Sequence, residues 1–104
     1  MTEAGLHILI ALAEGEKHGY AIMREINDGT KGRVKLYPGT LYATIKRLLE
    51  ERLIEELRQP DAPGEDERRR LYRLTRRGRS AAIAELTRLQ DIVRSASLAF
   101  KGGR

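Results

Sequence analysis

The residues best suited to chemistry lie between Tyr37 and Ile54, in the stretch YPGTLYATIKRLLEERLI. Pro38 fits the first turn of a helix, where its missing N–H removes no bond. Downstream, Leu41, Ile45, Leu48 and Leu49 fall at i, i+4, i+7 and i+8 and predict one apolar stripe. Gly39, Thr40, Ala43, Lys46, Arg47 and Glu50 take the opposite face. The N-terminal half of that face is small and hydroxylic, and its middle is cationic. Small residues allow close approach, hydroxyls bond base edges, and cations meet phosphate. A helix entering the major groove of DNA needs such a face. An ordinary amphipathic helix with a solvated polar side has the same pattern, so the surrounding elements decide between the two.

A second concentration of chemistry runs from Arg68 to Arg79, RRRLYRLTRRGR, with seven arginines and no acid among them. The net charge of +5 favours an anionic partner, either nucleic acid or a membrane surface. Catalysis finds little to work with. His7 and His18 are the only histidines, and neither neighbours a nucleophile or a carboxylate pair. With no cysteine there is neither a disulfide nor a thiolate metal site. No glycine-rich phosphate loop and no metal-ligand spacing is present, so the expectation is binding without enzymatic activity, metal or cofactor.

The elements that must position these residues follow from the order of the chain. Its 104 residues suit one compact domain, and 40% apolar content is too high for wholesale disorder. No run reaches the roughly 18 apolar residues of a membrane span. The N-terminal sequence lacks a basic leader and a small-residue cleavage site, which points to a cytoplasmic protein. Thr2 to Ala13 reads as a helix apolar over most of its circumference, and Gly15 suits its C-cap. A second helix is expected from about His18 to Asp28, ended by Gly29. Val34 to Leu36 reads as a very short strand or an extended lead-in. The Pro38 helix ends near Arg52. Two helices joined by a short polar segment, the second with a small and basic face, match a helix-turn-helix.

Leu53 to Gln59 and Arg70 to Leu74 are strand candidates around the turn chemistry of Pro60 to Gly64. A hairpin after a helix-turn-helix is the layout of a winged helix. Thr75 can cap the last helix, which runs from about Arg76 towards Phe100. Ala82, Leu86, Leu89, Val93, Ala96 and Phe100 are spaced 4, 3, 4, 3 and 4 apart, a seam for pairing with another helix. With Leu6 and Ile10 of the first helix they form the expected dimer interface. The predicted fold class is α+β, mainly α: a winged helix-turn-helix over 1–75 with a long C-terminal dimerisation helix and tail over 76–104, as one compact unit.

The strings HGYAI, YPGTLYATIKRLLEERLIEE and RRRLYRLTRRGR, in this order, resemble the PadR family of bacterial transcription regulators. The resemblance covers about His18 to Leu86 and is to the short type, with a single C-terminal helix. It implies a winged-helix homodimer on a palindromic operator, usually as a repressor, sometimes relieved by a small phenolic or hydrophobic effector. Carried over, Pro38, Gly39, Thr40, Tyr42, Thr44, Lys46 and Arg47 face DNA. Tyr20 supports them by packing or through its hydroxyl to phosphate. Arg68, Arg69 and Arg70 are wing contacts. Asp61, Glu65, Asp66 and Glu67 depart from the pattern, because an acidic wing tip is repelled by phosphate.

An effector pocket would lie between the first and last helices, lined by Leu6, Ile10, Leu89, Val93 or Phe100. With no Trp and one Phe its aromatic walls are sparse, and core packing needs the same residues. The alternative to DNA binding is a winged-helix protein-interaction module, with which an acidic wing tip is compatible. RNA binding is the third reading, without a stacking platform visible among the four tyrosines.

Overall fold

The computed structural model describes residues 1–57 and 70–102. The chain begins with α1 (Glu3–Ala11), whose N-cap Thr2 accepts the Gly5 N–H at 3.0 Å. It closes in a 3-10 turn, Leu12–Glu14, at Gly15 with φ 152°. The two-residue strand β1 (Lys17–His18) leads directly into α2 (Gly19–Gly29). An irregular loop then reaches α3 (Pro38–Glu50). Strands β2 (Ile54–Leu57) and β3 (Leu71–Leu74) follow, and α4 (Arg76–Gly102) ends the chain.

Helix α3 forms as its sequence dictates. Pro38 opens it, and Leu41, Ile45 and Leu48 are buried on the predicted stripe. It stops in a Schellman motif: the Leu53 N–H bonds the Leu48 carbonyl and the Arg52 N–H bonds that of Leu49, both at 3.0 Å. The left-handed position of this motif is usually glycine, but here it is Arg52, at φ 60°. The corner turns the chain sharply into β2.

Strand β3 is the centre of a three-stranded antiparallel sheet in the order β1-β3-β2. Ile54 pairs with Leu74 and Glu56 with Tyr72 on one side, and Lys17 pairs with Tyr72 on the other. Tyr72, Ile54, Ile8, Leu9, Leu12, Ile22, Leu41 and Ile45 are the most deeply buried large side chains of the core. Helix α1 lies within it, packed against α2, α3 and the start of α4.

The start of α4 is seated on the Arg52–Leu53 corner. Thr75 caps it by accepting the Gly78 N–H at 2.9 Å. The Thr75 N–H also bonds the Leu53 carbonyl at 3.1 Å, and the Thr75 hydroxyl donates to the Arg52 carbonyl at 2.7 Å. Gly78 is buried so tightly here that a Cβ would stand 1.9 Å from the Leu53 oxygen. The helix packs on the core as far as Leu89 and then projects, and the molecule measures 61 × 28 × 21 Å. Ile83, Leu86, Ile92, Val93, Leu98 and Phe100 are exposed along α4.

Several expectations need correction. Val34 to Leu36 is not a strand, because side chains of α2 and the loop take its backbone bonds. Strand β2 starts at Ile54, since Leu53 belongs to the helix-ending motif. Strand β1 was not expected at all. Leu6 and Ala82, assigned to a subunit interface, are 8% exposed and lie in the core of their own chain. The rest of that set, Ile10, Leu86, Leu89, Val93, Ala96 and Phe100, stays wholly or partly accessible.

Candidate nucleic-acid interface

The outward side of α3 is built from Pro38, Gly39, Thr40, Ala43, Lys46, Arg47 and Glu50, all exposed. A Cβ on Gly39 would meet nothing within 4 Å, so the N-terminal end of the face is open and flat. Tyr37 is the N-cap residue but supplies no side-chain cap bond, and the helix's first N–H groups have no partner within the helix. Thr44 is half-buried and its hydroxyl donates to the Thr40 carbonyl at 2.7 Å. Its proton is engaged, and its oxygen is left to accept. Lys46 and Arg47 pair with no carboxylate among the described residues. The face combines one end suited to close approach with one cationic shoulder.

Tyr42 departs from its expected role. Its ring turns away from this face and packs over the start of α2. A Cβ on Gly19 would come within 3.0 Å of its Cε1 and 3.1 Å of its hydroxyl oxygen, and that oxygen is enclosed. Position 42 stands three and seven residues before Ile45 and Leu49, so the ring flanks the inward side of the helix. Gly19 makes the room it occupies. The pairing of a glycine at the head of α2 with a tyrosine one turn into α3 was the overlooked signal in the HGY and PGTLY strings. Tyr20, the next residue of α2, is 48% exposed and free to meet solvent or a ligand.

The base of the wing is cationic but internally compensated. The Arg73 Nε donates to Glu55 at 3.0 Å across the β2–β3 pair, and a second guanidinium nitrogen binds the same carboxylate. The hydrogen bond and then the charge of Glu55 raise the Arg73 pKa above its ordinary value. Arg70 lies 3.8 Å from Glu56. Arg68, Arg69 and the acidic residues Asp61, Glu65, Asp66 and Glu67 lie outside the described residues. Of the three wing arginines singled out, only Arg70 is placed, and a carboxylate is beside it.

Three comparisons bear on what this arrangement is. The sequence model of the PadR-like family of transcriptional regulators matches residues 8–84, well over half of the chain. The chain belongs to the PadR-like family of transcriptional regulators. Among solved structures, a PadR family transcription regulator from Clostridium difficile superimposes with a TM-score of 0.79 at 21% identity, covering 95% of this chain and 99% of that one. A transcriptional regulator from Clostridium thermocellum aligns at 26% identity and a TM-score of 0.75, over 90% of this chain and 86% of its own. Bacillus subtilis PadR, solved in complex with operator DNA, aligns at 23% identity and 0.70, over 83% of this chain and 46% of that protein. No curated protein sequence matches this chain significantly. The fold is the winged helix of these regulators, and the three-stranded sheet and the long C-terminal helix belong to it. Among the described residues, no helix is long and apolar enough to cross a membrane.

Proposed function

We propose that this family member is a sequence-specific DNA-binding repressor that grips a palindromic operator as a homodimer. The observation that carries the reading is the outward face of α3: Gly39 and Thr40 open at the N-terminal end, with Lys46 and Arg47 exposed behind them and without a carboxylate partner among the described residues. Thr40, Thr44 and Lys46 choose bases in the major groove, while Arg47, Tyr20 and the wing arginines Arg68, Arg69 and Arg70 hold phosphate. Pro38 and Gly39 set the close approach. The solved operator complex of Bacillus subtilis PadR supports this reading for the shared fold.

In this scheme the first 75 residues read DNA and residues 76–104 pair two copies. Ile83, Leu86 and Val93, exposed in the single chain, line a groove on α4 with the partly buried Leu89. A second α4 laid along it buries this face and sets two recognition helices about 34 Å apart, one turn of DNA. A small phenolic or hydrophobic effector acts by entering this helical interface and changing that separation.

The test is fluorescence anisotropy with a duplex from upstream of the protein's own gene, beside a scrambled duplex, across a salt series. Arg47→Ala is expected to weaken both duplexes alike, and Thr40→Ala to narrow the difference between them. Parent-like binding by both variants rejects the proposed face. The rival reading, a protein-interaction module, draws on the compensated wing base, where Glu55 and Glu56 face Arg73 and Arg70. It requires the salt series to show no DNA binding at all.

A further inference from the structure

The loop between α2 and α3 carries Lys31, Arg33 and Lys35, all exposed, and the nine residues Gly29 to Tyr37 contain no acid. None of the three cations pairs with a carboxylate among the described residues. Lys17, Arg70, Arg73 and Arg88, by contrast, each have a glutamate beside them. A loop needed only for solubility has no reason to be held still. This one is tied at both ends. Asn27 accepts the Leu36 N–H at 2.7 Å and donates to the Leu36 carbonyl at 3.2 Å. The Thr30 hydroxyl accepts the Val34 N–H at 3.1 Å and donates to the Ile26 carbonyl at 2.9 Å. Between these ties the chain takes left-handed values at Lys31, φ 54°, and Gly32, φ 80°. The former is a conformation that residues with a Cβ seldom adopt.

The rigid loop feeds straight into the N-terminus of α3. Lys31 and Lys35 line a groove of about 450 Å³ with Asn27, Asp28, Gly32 and Tyr37, whose ring is 65% exposed. Asp28 is the one carboxylate lining it against two cations, and Arg33 of the same loop brings the edge to three cations and one anion. The first N–H groups of α3 add positive potential at the same edge. In the DNA-binding reading above, this edge adjoins the N-terminal end of α3 where Thr40 meets bases.

We propose that the α2–α3 loop is a preorganised phosphate clamp, in which Lys31, Arg33 and Lys35 hold the duplex backbone beside the α3 contact. This rests on the DNA-binding reading above and adds contacts that neither α3 nor the wing supplies. Because the loop is already ordered by Asn27 and Thr30, binding costs it little conformational entropy. The clamp reads no bases, so it contributes affinity and register, not discrimination.

The test replaces Lys31, Arg33 and Lys35 together by Gln in the full chain. Anisotropy is then measured on the upstream duplex and on a scrambled duplex of equal length, across a salt series. Each phosphate contact contributes about 0.9 to the slope of log K against log salt. The triple variant is expected to lose between roughly two and three units of slope per bound subunit and on the order of a hundredfold in affinity at 0.1 M salt on both duplexes. The affinity ratio between the duplexes stays at the parent value. Lys101→Gln, a charge removed at the far end of α4, leaves the slope alone. An unchanged slope in the triple variant, with the parent binding DNA normally, overturns the clamp and leaves the α3 reading standing. No binding by the parent at any salt overturns both. A collapsed affinity ratio also overturns the clamp, because it makes the loop a reader of sequence.

Discussion

Replacing Gly78 by alanine separates two opposed effects at one position. In an exposed helix the change is favourable, because alanine forms helix better by about 1 kcal/mol. Here the new Cβ would lie 1.9 Å from the Leu53 oxygen, 2.8 Å from its carbon and 2.9 Å from Leu74 Cδ1. Backbone cannot yield as a side-chain tip does, so the first turn of α4 must lift by more than 1 Å, and overpacking of this kind costs about 2 kcal/mol. Lifting also breaks the bonds from Thr75 to the Leu53 and Arg52 carbonyls, at about 1 kcal/mol each. The net loss is about 3 kcal/mol, or roughly 10–20 °C in Tm for a domain of this size. Thermal unfolding followed by circular dichroism measures it, with protein concentration held fixed in case copies associate. Gly29→Ala is the internal control: nothing lies within 4 Å of its Cβ position, so it is neutral or stabilising by about 0.5 kcal/mol. If Gly78→Ala melts at or above the parent temperature, the close seat of α4 on Leu53 is refuted.

Three further outcomes follow. On the proposed pairing through α4, light scattering gives the parent twice the subunit mass and gives Val93→Glu, at a side chain 63% exposed in the single chain, the mass of one subunit with an unchanged far-UV spectrum; equal masses remove α4 from the interface. Asn27→Ala leaves the Leu36 N–H and carbonyl without their partner and costs about 2 kcal/mol in urea unfolding; a loss below about 0.5 kcal/mol contradicts the loop's dependence on Asn27. The Glu85 carboxyl is held below its ordinary pKa, first by the hydrogen bond from Arg88 and also by its charge. It therefore adds stability at neutral pH that fades as pH falls below the ordinary carboxylate range. Carboxyl-resolved NMR titration should find Glu85 titrating below the exposed glutamates, and Arg88→Gln should return it to them.

Local rules made α3 legible. Pro38, the 3.6-residue stripe and the small polar face all lie within thirteen residues, so no distant contact was needed to read them. The exit from the wing into α4 was equally plain, because Thr75 is both turn residue and cap. What escaped reading depends on partners far along the chain. Strand β1 exists only because Tyr72 and Leu71 offer it an edge more than fifty residues later. Tyr42 turns inward because Gly19 vacates the space, a fact of packing that neither helix shows alone. The helix-ending conformation at Arg52 carries no glycine to announce it. Ala82 fits an interhelical seam by spacing, and only the packing of α1 against three other helices shows that Ala82 and Leu6 are buried within their own chain.

Lys17 and His18 join the wing to α2. Their backbone pairs with Tyr72 and Leu71 immediately before α2 begins. The Lys17 ammonium also bonds the Ala11 carbonyl and lies 3.0 Å from Glu25. A pull on β3 is thus felt at once by the end of α1 and the head of α2, with no slack loop between to absorb it. The wing's central strand, the end of α1 and the head of α2 move as one body, and whatever tilts the sheet carries Tyr20 with it.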